Sequence, residues 1–336
     1  MNIAFFEFEE WQKNELQERL KQHNVKFFDG ALQEKHLAEL SDVEVLGVFI
    51  YSHISKDIVD KMPKLKLIVT MSTGFDHIDI AHCKQKGIVI CNVPTYGENT
   101  VAEHTFALIL ALSRKLFPSI KRTHEEASFE TDISLRGFDL KGKTIGVVGC
   151  GNIGKHVVRM AVGFEMNVLI FNRSQDDTIK QLPNVHYTDL DTLLKNSDIV
   201  SLTLPYNKET HHIINKEAIA KMKKGAFIIN TARGALIETH ALIQALKSGH
   251  IAGAGLDVLE EECEVKEELS VLKDEFKATC DLRVILDNHL LMKMPNVIVT
   301  PHNAFNSHEA LQRILETTLA NIASFEKGEV QNNVAG

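Results

Sequence analysis

The chain has 336 residues, 44% apolar and 24% charged, with a net charge of −8. That length is enough for two domains with a sizeable core, and an acidic balance without a basic tail excludes a nucleic-acid surface. The five cysteines (Cys83, Cys91, Cys150, Cys263, Cys280) form no CxxC pair, and no apolar run approaches the ~20 residues of a membrane span, so neither a disulfide framework, a metal site nor a membrane partner is expected.

Short β-rich runs open the chain: NIAFF, VKFF, VLGVFIY, LKLIVTM and GIVICNV, with charged, helix-period segments at 10–22 and 55–62 between some of them. This is the βαβ rhythm of a parallel sheet covered on both faces. The opening MNIAFFEFEEWQ lacks the basic start of a signal peptide, and a reducing cytoplasm is the expected location. ENTVAEHTFALILALSRKLF, at 98–117, reads as one long apolar helix. A second strand series runs KTIGVVG, NVLIF, DIVSLTL, GAFIIN, IAGAGLDV and NVIVTP, and an amphipathic helix over 307–326 is expected to return to the first domain. The fold class is therefore α/β, with two doubly wound parallel-sheet (Rossmann-like) domains and an interdomain cleft. Before the last strand, Val265, Leu269, Leu272 and Phe276 mark one helical face and Leu282, Ile285, Leu286 and Leu290 another, so two short helices are expected over 263–294.

Gly149-x-Gly151-x-x-Gly154 follows a strand and opens a helix. A lone GxGxxG is a weak signal; in this context it reads as a dinucleotide turn. Gly149 permits the turn, Gly151 lets a pyrophosphate approach, and Gly154 lets helix pack on strand. The free amides of a helix that starts at Asn152, Ile153 and Gly154 receive the phosphates.

Three polar residues lie at or just beyond strand ends: Arg233 after GAFIINTA, Glu262 after IAGAGLDVLE, and His302 after NVIVTP. Each alone is unremarkable. Together they are a chemical set. An Arg fork holds a carboxylate and polarises a neighbouring carbonyl. A His exchanges a proton near neutral pH, and a Glu beside it stabilises its charged form. These are the parts needed to reduce a 2-oxo acid with a nicotinamide hydride. Glu260 and Glu261 stand close to Glu262. His104, His211 and His212 have no motif context and read as core or surface residues. Cys150, inside the glycine turn, reads either as a thiol activated by a helix N-terminus or as a small residue in a crowded place.

STGFDHID, VPTYGENTVAEHTFALILALSRK, LRGFDLKGKTIGVVGCGNIG, INTARGALI, GAGLDV and VTPH, in this order, resemble the motifs of the D-isomer-specific 2-hydroxyacid dehydrogenases over nearly the whole chain, with a lean toward the D-lactate dehydrogenase branch. The resemblance implies Arg233 as substrate-binding residue, His302 as acid/base and Glu262 as its partner. It implies Asp257 at the nicotinamide carboxamide, and Thr73, Gly74 and Tyr96 at the substrate. It also implies a homodimer with the 98–117 helix near the interface, a substrate domain of residues 1–98 completed by 304–336, and a cofactor domain over 99–303. Cys263 stands where the family has a proline.

At the end of LIFNRS, Asn172 occupies the place of the acid that binds the ribose hydroxyls in NAD-using members. Asn removes the repulsion of a 2′-phosphate, and Arg173 and Ser174 can bind one. Asp176 and Asp177 stand nearby to offset the Arg. The cofactor expected is NAD(H) or NADP(H), with a lean to NADP(H), alone or alongside NAD(H). The expected activity is reversible reduction of a small 2-oxo acid, pyruvate to D-lactate first. Glyoxylate/hydroxypyruvate reduction is the alternative, and a nucleotide-sensing corepressor-like binding protein the reading from another class.

Overall fold

The apolar runs of the first hundred residues form β1 (Asn2–Phe6), β2 (Asn24–Phe28), β3 (Val45–Val48), β4 (Leu67–Thr70) and β5 (Val89–Cys91) in the computed structural model, which describes residues 1–262 and 282–334. These strands pair with one another in parallel, in the order β2-β1-β3-β4-β5. β3 and β4 are buried at every position, which is why they read as continuous apolar runs rather than alternating ones. This sheet belongs to a unit made of Met1–Tyr96 and Ser307–Gly336. The helix His308–Glu326 is capped by the Ser307 hydroxyl, which accepts from the Ala310 amide. It sets Ile314, Leu315, Leu319 and Ile322 among Ile3, Phe5, Leu67 and Val69.

Gly97–Asn306 form the second unit. Its strands are β6 (Thr144–Val148), β7 (Asn167–Phe171), β8 (Val185–Tyr187), β9 (Ile199–Leu202), β10 (Ala226–Asn230), β11 (Ile251–Leu256) and β12 (Val297–Val299). They pair in parallel in the order β12-β11-β10-β9-β6-β7-β8, so the strand order reverses between β6 and β9. β8, three residues long, is absent from the strands expected above. The unit boundaries fall at Tyr96/Gly97 and Asn306/Ser307, against 98/99 and 303/304 in the sequence reading.

The single helix expected over 98–117 is two. Glu98–Ser113 ends, Lys115 takes a left-handed φ of +54°, and Leu116–His124 follows. The cause is local. The Ser113 carbonyl, which a continuing helix would offer to residue 117, accepts the Phe138 amide at 2.9 Å. Of the two helices expected between β11 and β12, the first lies outside the described residues. The second is Leu282–Lys293, but its face is rotated from the expected one: Ile285, Asp287, Asn288 and Leu291 are buried, whereas Leu282, Leu286 and Leu290 are exposed.

Glu7, just past β1, accepts from the Ser52 hydroxyl and from the amides of Phe49 (3.1 Å) and Tyr51 (2.7 Å). Burial pushes its carboxyl above the usual range, opposed by these donors. Glu7→Ala orphans all three, and should cost about 1–3 kcal/mol, read as a lowered unfolding midpoint. An unchanged midpoint would mean that water replaces the carboxylate freely.

Candidate active site

Gly149 follows β6 with a φ of +97°, and the place of a Cβ there lies 2.7 Å from the side chain of Leu204. Only glycine satisfies both conditions. A Cβ on Gly154 would collide with the Gly149 carbonyl, so helix and turn touch as the sequence spacing demands. Thr203, just past β9, donates to that same carbonyl at 2.5 Å and ties the two strand ends together at the reversal point. Gly151 differs: nothing lies within 4 Å of where its Cβ would stand, and no side chain caps the helix Asn152–Gly163 that starts there. The first-turn amides of Asn152, Ile153 and Gly154 have no partner within the helix. Open space before uncapped amides fits the pyrophosphate of a dinucleotide.

At the end of β7, Asn172 accepts the Cys150 amide at 3.0 Å and donates to the Ser174 carbonyl at 2.7 Å. Arg173 is paired with Glu209, not with the aspartates expected to offset it. Asp176 instead pairs with Lys155 at 2.6 Å and caps the short helix after it, which holds its carboxyl well below the usual range. Cys150 is 3% exposed, and burial raises its thiol pKa, the opposite of an activated cysteine.

Arg233 follows β10 and is half-buried; its Nη1 donates to the Ala232 carbonyl at 2.7 Å, and its own carbonyl accepts from Asn230 at 2.8 Å. The next residue, Gly234, lies against the backbone of Leu259 and Glu260, where any Cβ would collide. The Arg233 loop and the segment that leads to Glu262 are thus packed main chain on main chain. Glu262 accepts the Leu259 amide with Oε2 at 3.1 Å and meets His302 Nδ1 with Oε1 at 2.6 Å. Neither side chain is fully buried, at 32% and 23% exposed, so the pair remains open to a ligand. Its neighbour Glu260 has another partner set, His212 at 2.6 Å and Thr239 at 2.7 Å, and Asn288 of the Leu282–Lys293 helix holds the Glu260 carbonyl at 2.7 Å.

His302 itself takes a left-handed φ of +50°. The turn that imposes it is braced by Asp257, 1% exposed. Its carboxylate accepts from the Thr300 hydroxyl (2.5 Å) and from the amides of Asn303 (2.8 Å) and Ala304 (2.9 Å). His104 Nε2 lies 3.0 Å from the Thr300 hydroxyl oxygen and joins this network from the helix Glu98–Ser113. His104 and His212, which the sequence left without a role, therefore both support the segments that carry His302 and Glu262. Their spacing along the chain, 196 and 48 residues from their partners, hides this.

In the first unit, the loop after β4 is tied down by its own side chains. Thr73 donates its hydroxyl to the Val93 carbonyl (2.9 Å), Asn92 donates to the Thr73 carbonyl (2.9 Å), and Ser72 donates to the Gly74 carbonyl (2.7 Å). Tyr96 is half-buried, packs against the core of this unit, and accepts from Arg313 Nε on its carbonyl at 2.6 Å.

Residues 106–304 match the family described as D-isomer specific 2-hydroxyacid dehydrogenase, NAD binding domain. The glyoxylate reductase of Thermofilum pendens is 39% identical over 301 residues, 89% of this chain and 83% of that protein. The D-lactate dehydrogenase of Escherichia coli is 34% identical over 339 residues, 99% of each. Among solved structures, the D-lactate dehydrogenase of Aquifex aeolicus complexed with NAD and lactic acid superposes with a TM-score of 0.88 at 38% identity, covering 100% of this chain and 99% of that one.

The backbone contact at Gly234 is testable. Gly234→Ala forces the Arg233 loop off Leu259 and Glu260 and should cost about 1–3 kcal/mol in thermal unfolding. A variant as stable as the parent would show that the two loops yield to one another.

Proposed function

The chain belongs to the D-isomer-specific 2-hydroxyacid dehydrogenase family, as an oxidoreductase of 2-hydroxy acids, and we propose that it reversibly reduces a small 2-oxo acid, pyruvate to D-lactate first. The observation that carries this reading is the His302–Glu262 pair at 2.6 Å, in the same unit as the glycine turn and Arg233. A bound nicotinamide supplies the hydride. Because Nδ1 of His302 is engaged by Glu262, Nε2 is the nitrogen left to exchange a proton with the substrate oxygen. His302 gives that proton to the developing alkoxide in reduction and takes it back in oxidation. Glu262 stabilises the charged imidazole and fixes its orientation. Arg233 holds the substrate carboxylate and steadies the alkoxide charge.

In this reading the backbone amides of Thr73 and Gly74 receive the carboxylate, since the Thr73 hydroxyl is already given to Val93. Tyr96 contacts substrate, and Asp257 reaches the nicotinamide carboxamide with lone pairs its turn leaves over. Gly149, Gly151, Asn152, Ile153 and Gly154 hold the pyrophosphate, and Asn172, Arg173 and Ser174 surround the adenosine ribose. NADP(H) is used alongside NAD(H), because no acid stands at 172. The second reading, glyoxylate reduction, is favoured by the relative from Thermofilum pendens, which is named for it. Buried free thiols at Cys83, Cys91 and Cys150 suit a reducing cytoplasm.

The protein works as a homodimer in this reading. The helix Leu116–His124 buries none of its residues and exposes Leu116, Phe117 and Ile120, and Phe129 and Ile133 beyond it are 99% and 73% exposed. A second copy of the chain is the occupant the family resemblance suggests for so much apolar surface.

Three experiments check these readings. Initial rates with pyruvate and glyoxylate, each with NADH and NADPH, should show turnover with pyruvate foremost and D-lactate as its product. His302→Ala should lower kcat about 10²–10⁴-fold, and a variant of undiminished kcat would remove His302 from the reaction. Binding of dinucleotide without turnover on any 2-oxo acid would favour the sensor reading. Phe117→Asp combined with Ile120→Asp should sediment as a monomer if the parent is a dimer through this face; a persistent dimer would place the interface elsewhere.

A further inference from the structure

We propose that Glu209 sets the choice between the two dinucleotides, by occupying Arg173 and placing a negative charge where a 2′-phosphate would bind; this rests on the reading that the glycine turn holds such a cofactor. In the sheet order β9-β6-β7 the strands β9 and β7 flank β6, so the loops that leave their carboxyl ends lie on either side of the Gly149 turn. Asn172, on the β7 side, carries no charge, and both ends of its amide are engaged, with Cys150 at 3.0 Å and Ser174 at 2.7 Å. Asp176 is committed to Lys155 at 2.6 Å and to the amides of Thr178 and Ile179. The carboxylate that reaches Arg173 is Glu209, from the β9 side.

Glu209 is not a loosely tethered surface acid. Asn207 Oδ1 accepts the amides of Glu209 (2.8 Å) and Thr210 (3.0 Å), and the Thr210 hydroxyl donates to the Pro205 carbonyl at 2.9 Å. The backbone that carries Glu209 is therefore held in a defined turn. The ion pair itself is 76% exposed on both sides, and such pairs are weak and exchangeable. A phosphate monoester, with close to two negative charges near neutral pH, can displace the carboxylate from Arg173 but must then sit beside it. A 2′-hydroxyl carries no charge and meets no such penalty. Glu209 thus supplies, from another loop, part of the discrimination that an acid at 172 would supply directly, and leaves Arg173 available to NADP(H) at a reduced affinity.

The test is equilibrium binding of NADH and NADPH to the full chain, followed by fluorescence, for the parent, Glu209→Gln, Arg173→Gln and the double variant. Glu209→Gln should tighten NADPH about tenfold, leave NADH within about twofold, and lose most of its gain at high salt. Arg173→Gln should weaken NADPH and abolish the effect of Glu209→Gln in the double variant. A ratio of NADPH to NADH affinity unmoved by Glu209→Gln, in a protein that binds both, overturns the role of Glu209 alone. A parent that binds neither dinucleotide overturns the cofactor reading, and this proposal with it.

Discussion

A buried carboxylate governs the geometry of the His302–Glu262 pair. Asp257, 1% exposed at the end of β11, must find partners for its charge inside the protein. It finds them in the hydroxyl of Thr300 and in the amides of Asn303 and Ala304, all in the turn after β12. β11 and β12 are adjacent and parallel, so their carboxyl ends emerge side by side and the span is short. Satisfying Asp257 bends the chain so that His302 takes a backbone conformation that costs a residue with a side chain roughly 1–2 kcal/mol. The strain is borne because the turn is over-determined, and it aims the imidazole at Glu262.

The same economy recurs around the glycine turn and the arginine loop. At Gly154 and Gly234 the main chain of one segment lies directly on the main chain of another, with no room for a side chain between them. Contacts of this kind fix loops more tightly than side-chain packing does, because backbone has little freedom to yield. They explain how the loop after β6 and the loop after β10 keep their places although neither belongs to a regular element.

Much of this was legible in the sequence. Of the twelve strands among the described residues, eleven announce themselves as apolar runs, since a parallel strand covered on both faces has no polar alternation to confuse it. The meeting of Glu262 with His302 at 2.6 Å was legible too, because both lie just beyond the carboxyl ends of neighbouring parallel strands. What escaped depends on long-range contact. β8 is three residues, Val185–Tyr187, too short to show a period. The end of the helix at Ser113 is decided by Phe138, and nothing in the ALILALSRK run signals it. His104, His212 and Glu209 acquire their partners only when the sheet sets distant loops together. The nearest acid to Arg173 in sequence, Asp176, is taken by Lys155.

The discontinuity of the first unit bears on how the chain is made. Its sheet is complete by Cys91, but the helix His308–Glu326 that covers Ile3, Phe5 and Leu67 is synthesised only after the whole second unit. The 210 residues of Gly97–Asn306 come between. At ribosomal rates of roughly 5–20 residues per second, that leaves the apolar face bare for about 10–40 s. The second unit, encoded without interruption, can finish first. Nascent chains stalled before residue 307 would carry a folded cofactor unit and an N-terminal sheet still open to chaperones and to aggregation.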